Sequence, residues 1–267
     1  MESVRSENAE YIAGIDEAGR GPVLGPMVYC ICLAKKGDIE LVAKEGFNDS
    51  KTLSAKSRNS FFKIIKKSDF LHFFVHSASA LFISKMMNRR KAKNLNVIAR
   101  QSTFKCIEKA LESGFNVTKI FVDTVGPELK HQKALKTKFP QIDFCVKQKA
   151  DSIYPIVSAA SICAKVSRDE SLKRTLKRLK ISVDVGSGYT NDPKTRKFLK
   201  TAFHPMNGFP KFVRTSWKTA KNVEALHTHP IWSEDEQSKS KDEKKQKTFK
   251  QSKYYRKRKI GQIKQIK

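Results

Sequence analysis

Four acids stand where the chain is set to change direction: the adjacent pair Asp16 and Glu17, then Asp123, then Asp151. Asp16 follows the apolar run Tyr11-Ile12-Ala13-Gly14-Ile15, and Asp123 ends Lys119-Ile120-Phe121-Val122. Asp151 opens a stretch that reads as helical, with Pro155 at the only place a helix tolerates proline, its start. If the two apolar runs are neighbouring strands, their terminal carboxylates project together at one edge of a sheet. Carboxylates held together repel one another, so such a cluster favours hard divalent cations with oxygen ligands. Two such ions about 3.5–4 Å apart could activate a water and stabilise a leaving oxygen in an in-line displacement at phosphorus. Taken singly, each acid has a plainer role: an exposed Asp-Glu pair, a strand-end acid bonding its turn, a helix cap.

Beside the first pair lies Gly19-Arg20-Gly21-Pro22. Gly19 and Gly21 lack a Cβ, so their amides can approach a ligand closely, with a cation between them. Successive strand residues point to opposite faces. For Asp16 and Glu17 to serve one site, the backbone is therefore expected to turn at Glu17, and the Gly/Pro cluster of residues 19–26 to stop the ladder.

The elements that must position these residues follow from pattern. Residues 27–34 (MVYCICLA) read as a buried strand antiparallel to the first, and residues 71–80 as a third strand. Ser54 is expected to cap a helix whose apolar stripe is Phe61, Phe62, Ile64 and Ile65. Residues 81–113 read as a long helical segment, broken near Asn94 and stopped by Gly114. The strand at 119–123 follows a helix, which predicts a parallel crossover. A short helix at 130–138, a strand at 142–147 and a helical region at 151–180 come next. Residues 186–193 read as a loop, and residues 198–213 as mixed.

With 267 residues and 39% hydrophobic content, the chain can bury a sizeable core. A mean hydropathy of −0.52 and no long apolar run argue against a membrane span, and the start is polar rather than a signal peptide. Five cysteines without a C-x-x-C pair read as reduced, buried thiols in an intracellular protein, not as a disulfide frame or a zinc site. The net charge of +28 predicts a polyanionic partner, nucleic acid before an anionic membrane. Residues 237–267 carry 13 Lys/Arg against Asp242 and Glu243, so 17 of the 28 charges remain for residues 1–236. The expected organisation is a flexible N-terminus (1–10), a globular unit (11–232) and a basic, mostly disordered tail (233–267).

The stretch Gly14-Ile15-Asp16-Glu17-Ala18-Gly19-Arg20-Gly21-Pro22-Val23-Leu24-Gly25-Pro26-Met27-Val28 resembles the signature of the type 2 ribonuclease H family. Asp123-Thr124-Val125-Gly126-Pro127 and Lys149-Ala150-Asp151 are similar to its other acidic sites. The likeness covers roughly residues 11–220. The Gly-Arg-Gly form favours type 2 over type 3, and Phe212-Val213-Arg214-Thr215-Ser216-Trp217 is most similar to the catalytic chains of eukaryotic members. The resemblance implies an α/β fold with a ribonuclease-H-like mixed sheet (three antiparallel strands, then parallel strands with crossover helices) and a helical C-terminal part. It implies that Asp16, Glu17, Asp123 and Asp151 are catalytic and hold Mg²⁺ or Mn²⁺. It assigns reading of the ribose 2′-OH to Gly19, Arg20 and Gly21, and the sugar at an RNA–DNA junction to Tyr189 in Gly186-Ser187-Gly188-Tyr189-Thr190-Asn191-Asp192-Pro193. Lys51 of Asp49-Ser50-Lys51 would contact phosphate. Lys149, beside the last acid, could do so too. The implied substrates are RNA/DNA hybrids and single ribonucleotides embedded in duplex DNA, cut to 3′-OH and 5′-phosphate ends. Two accessory subunits, B and C, are implied, and Tyr254-Tyr255-Arg256-Lys257-Arg258-Lys259 reads as a nuclear import signal or an electrostatic DNA tether.

One stretch departs from the family. After Leu95-Asn96 it often carries Ile-Ser-His-Asp, where this chain has Val97-Ile98-Ala99-Arg100-Gln101-Ser102. No role is carried over there. Two rival readings are a catalytically weak nucleic-acid-binding module and a nuclease of the same fold with another nucleic-acid substrate. All four acids being present weighs against the first.

Overall fold

The computed structural model describes residues 9–47, 53–124 and 126–227. The Asp49-Ser50-Lys51 loop, most of residues 1–10 and the basic segment 233–267 lie outside them.

Five strands form one mixed sheet in the order β3-β2-β1-β4-β5. Strands β1 (Glu10–Ala18), β2 (Met27–Lys35) and β3 (Leu71–Ala78) are antiparallel neighbours. Strands β4 (Asn116–Asp123) and β5 (Asp143–Lys147) continue the sheet beyond β1 in parallel. The expected three antiparallel strands followed by parallel ones are present. Every residue from Met27 to Ala34 is buried, as a central strand covered on both faces should be.

Helices cover both faces. Odd-numbered residues of β1 and β2, such as Ile15 and Ile31, pack with Ile98 and Ile107 of α4 (Leu95–Glu112) and Leu135 of α5 (Glu128–Lys138). Even-numbered residues of β2, such as Cys30 and Cys32, pack with Ile156, Val157 and Ala160 of α6 (Pro155–Arg178). A Cβ on Gly14 would lie 2.5 Å from the Ile156 carbonyl carbon, so glycine there sets how closely α6 lies on β1. Smaller helices, α1 (Ile39–Lys44), α2 (Ala55–Lys67) and α3 (Ala80–Asn88), complete these layers. Ser54 accepts the Ser57 amide at 3.1 Å and caps α2. Asn94 accepts the Val97 amide at 3.0 Å and caps α4, so the expected break in the long helix falls where its cap is.

A third apolar cluster joins Val23 and Leu24, after the glycine loop, to α7 (Pro193–Ala202), to Phe212 and Val213, and to Val223 of α8 (Lys218–His227). Helix α7 begins in what read as loop and runs into what read as mixed. Asp192 caps it, its Oδ1 accepting the Lys194 amide at 2.9 Å, with Pro193 at its first position.

Two expectations are corrected. The chain does not turn at Glu17: β1 runs on to Ala18, pairing Glu17 with Tyr29 and Ala18 with Val28. The ladder with β2 continues because Met27 and Val28 are already extended opposite it. In α2, only Phe62 and Ile65 of the expected stripe are buried, while Ile64 is 41% exposed, on the outer side of the helix.

Candidate active site

Parallel pairing sets Ile15 beside Val122, so the chain-terminal ends of β1 and β4 reach the same sheet edge. Asp16 and Asp123 follow there as neighbours. Asp151 arrives from the other side, in the single 3-10 turn Ala150–Ser152 between β5 and α6. It is not the helix cap; that position belongs to Tyr154. Lys149 enters the turn with φ +57°, its carbonyl accepting the Ser152 hydroxyl at 2.8 Å and its side chain exposed.

Because β1 stays extended, Asp16 and Glu17 straddle the sheet edge. Asp16, on the α6 side, is only 4% exposed and accepts the Glu17 amide at 2.6 Å and the Ser161 hydroxyl of α6. Glu17, on the α4 side, meets the hydroxyl of its cross-strand partner Tyr29 and the charge of Arg20. Asp123 Oδ1 accepts the Ala150 amide at 2.9 Å, which ties the β4 end to the turn carrying Asp151. All four acids therefore share one edge despite the opposite facing of the first two.

Their electrostatics follow. Burial, then the charges of Glu17 and Asp123, push the Asp16 carboxyl well above its ordinary range. Burial raises Glu17 from 4.5 to about 7; Asp123 and Asp151 add to the rise and Arg20 opposes it. Four oxygen-donor side chains that resist ionising together fit hard divalent cations, whose charge removes the repulsion.

The glycine loop is the second part of the site. Gly19 takes φ +77°, and a Cβ there would lie 2.5 Å from the Pro26 carbonyl oxygen. A Cβ on Gly21 would stand 3.4 Å from the Tyr189 ring, so the tyrosine, half exposed, lies directly over this loop. The Tyr189 loop is built by Asp192, which accepts the Ser187 amide at 2.6 Å and the Ser187 hydroxyl at 2.8 Å. It is joined to the glycine loop by the Val23 amide, donating to the Gly188 carbonyl at 2.8 Å.

Residues that sequence reasoning missed hold this loop from below. Arg214 is fully buried and donates to the carbonyls of Gly19 (2.5 Å), Arg20 (2.9 Å) and Gly25 (3.0 Å). Its guanidinium stacks on Trp217, whose indole N–H donates to the Gly21 carbonyl at 2.9 Å. Arg168 of α6 donates to the Leu24 and Ser187 carbonyls. Burial and the nearby Arg168 lower the Arg214 pKa to about 9. Only the Phe212–Trp217 likeness pointed to this segment.

A cleft of about 280 Å³ opens in front of Glu17 and Asp123, between the start of α4 and α5. Arg20, Arg100, Lys130 and His131 line its far side. Arg20 bonds the Asn96 side-chain oxygen and the Tyr29 hydroxyl. Arg100, in the stretch that departs from the family, carried no expectation. Of the expected site residues, Asp16, Glu17, Asp123, Asp151, Gly19, Arg20, Gly21 and Tyr189 come together. Lys149 stands at the rim of the Asp151 turn, and Lys51 lies outside the described residues.

Comparison with known proteins agrees with this geometry. The family model described as Ribonuclease HII matches residues 13–220. The chain is 43% identical over 237 residues to the catalytic chain of ribonuclease H2 from Homo sapiens, the one designated A, covering 86% of this chain and 78% of the human one. The ribonuclease H2 structure from Pyrococcus horikoshii OT3 superposes with a TM-score of 0.70 at 31% identity, covering 81% of this chain and 98% of that one. The fold is also shared by Bst-RNase HIII, solved in complex with Mn²⁺, with a TM-score of 0.66 at 17% identity, covering 85% and 73%. On the extent of these matches, the chain belongs to the ribonuclease HII family.

Proposed function

We propose that this ribonuclease H, beyond cutting RNA in RNA–DNA hybrids, nicks duplex DNA on the 5′ side of a single embedded ribonucleotide. The observation that carries the reading is the contact of two parts: the four acids at the β1–β4 edge, and the Gly19–Gly21 loop with Tyr189 over Gly21. The acids suit hydrolysis at phosphorus. The loop and ring suit recognition of the sugars on either side of an RNA–DNA step, since a bare backbone can meet a 2′-OH and a phenol can stack on a deoxyribose.

Asp16, Glu17, Asp123 and Asp151 would hold Mg²⁺ or Mn²⁺, and the mutual repulsion of the first two supports that fit. When bound, two divalent cations supply charge for the attacking water and the leaving oxygen. The chain's own residues orient: Ser161 and the Glu17 amide fix Asp16, the Ala150 amide fixes Asp123, and Tyr29 steadies Glu17. Arg214 and Trp217 fix the peptide planes of the loop. Attack by water on phosphorus forms one P–O bond and breaks the bond to the 3′ oxygen, which takes up a proton. The ends are a 3′-OH and a 5′-phosphate.

We take residues 11–232 as one catalytic unit, because Val23 and Val223 share a cluster. The human relative is named as one chain of a multi-chain enzyme, which supports assembly of this chain with two further subunits. The basic segment 254–259 supports a nuclear location. The test is a DNA duplex with one ribonucleotide, incubated with the full-length chain in Mg²⁺ and in EDTA. A single nick 5′ of the ribonucleotide, lost in EDTA, is expected. Cleavage of hybrid without any such nick, with the two further chains present, would overturn the junction reading.

A further inference from the structure

The cleft facing the acids has a wall made almost wholly of hydrogen-bond donors and positive charge. Arg100 projects from the second turn of α4 and Lys130 from the first turn of α5. Among the described residues neither makes an ion pair. His131 sits beside them, its Nδ1 3.2 Å from the Thr124 hydroxyl. That hydroxyl already accepts the Gly126 amide at 3.3 Å, which leaves its single proton for Nδ1. The imidazole is neutral, because burial and the charges of Arg100 and Arg20 lower its pKa to about 4. A neutral ring that accepts at Nδ1 carries its proton at Nε2. Nε2 is buried and has no partner among the described residues. A buried donor without an acceptor is costly, so a ligand that supplies one is favoured.

The opposite wall carries Glu17 and Asp123. A ligand that bridges the two walls must accept hydrogen bonds and carry negative charge on one side, and accept bound cations on the other. A phosphodiester strand does both with successive phosphates. We propose that Arg100, Lys130 and His131 Nε2–H form a subsite for the phosphodiester that adjoins the scissile one on the cleaved strand. The inference rests on the nuclease reading of the acids. It assigns a specificity-determining role to Arg100, in the stretch where the chain departs from its family, and to the His131 ring.

The test separates the subsite from the cleavage reading. Binding of a hybrid duplex to the full-length chain is measured in Ca²⁺ across a salt series, for the wild type, Arg100→Gln, Lys130→Gln and Lys177→Gln. Lys177 is exposed at the far end of α6. For each of the two cleft variants the slope of log K against log salt should fall by about 1, with Lys177→Gln unchanged. In Mg²⁺, Arg100→Gln should raise KM about tenfold with kcat nearly unchanged. His131→Phe should weaken binding more than His131→Gln, which keeps a donor. A hybrid carrying one uncharged methylphosphonate next to the cut should bind the wild type more weakly but Arg100→Gln no more weakly than the unmodified hybrid. Unchanged salt slopes in both cleft variants, or equal weakening of wild type and Arg100→Gln by methylphosphonate at every position, would overturn the subsite. Failure of the wild type to cleave hybrid would overturn the reading of the acids instead, and the Ca²⁺ binding series would still decide the subsite.

Discussion

At the end of β1 two carboxylates are crowded by two more, while the glycine loop that follows has its carbonyls met by arginine and tryptophan donors. The acid cluster holds unrelieved repulsion, so it is completed by cations from outside. The loop is satisfied from within: Arg214, buried and bonded to no carboxylate among the described residues, spends its charge on three backbone oxygens. The two regions touch, yet they are built for different tasks. A metal centre needs ligands that stay short of counter-charge, whereas a sugar-reading loop needs fixed peptide planes, and buried guanidinium bonds supply them.

The sharpest way to break the contrast is to remove an acid. Asp16→Asn or Asp123→Asn should abolish cleavage, by on the order of a thousandfold or more, while hybrid binding stays measurable. Full activity in either purified variant would refute the assigned roles. Next comes the loop's support. Arg214→Gln should lower Tm by roughly 8 °C, since several buried carbonyls lose their donor together. Arg214→Lys should recover only part of that loss, because an ammonium cannot span three carbonyls as a fork does. An unchanged melting temperature in Arg214→Gln would show the loop to be held by other contacts.

The acid cluster's repulsion has a pH signature in the absence of divalent cations. An acid whose folded pKa is raised binds a proton on folding. Its penalty is absent below the unfolded value, near 4.5 for Glu17, and complete above about 7. His131 acts in the opposite sense between about 4 and 6.5, so the variant is compared with the wild type at each pH. In EDTA, Glu17→Gln should match the wild type near pH 4.5 and melt about 5 °C higher at pH 8. Mg²⁺ should narrow the gap at pH 8. Equal melting curves at both pH values would mean that the acids do not repel. The smallest effect is expected at Gly21→Ala, whose new Cβ just touches the Tyr189 ring at 3.4 Å. Folding should be unchanged, and nicking at a single ribonucleotide should fall several-fold relative to binding of all-DNA duplex.

Much of this was legible in the chain before it folded. Strand and helix periodicity located the sheet, the caps at Ser54 and Asn94 and the parallel crossover, because these depend on local hydrophobic spacing and cap chemistry. Residue type and position marked Asp16, Glu17, Asp123 and Asp151 as candidates, and the Gly-Arg-Gly loop and Tyr189 entered through the family likeness. Tertiary structure alone decided how Asp16 and Glu17 serve one site without a turn: the extended strand sends them to opposite faces, and the free sheet edge lets both reach Asp123. It alone brought Arg214 beneath a loop nearly two hundred residues away in sequence, and set Arg100, Lys130 and His131 around the same cleft. No local pattern marks an arginine that bonds distant carbonyls or a histidine whose proton is set by a threonine across a turn. Those properties exist only once packing has excluded water and fixed the partners.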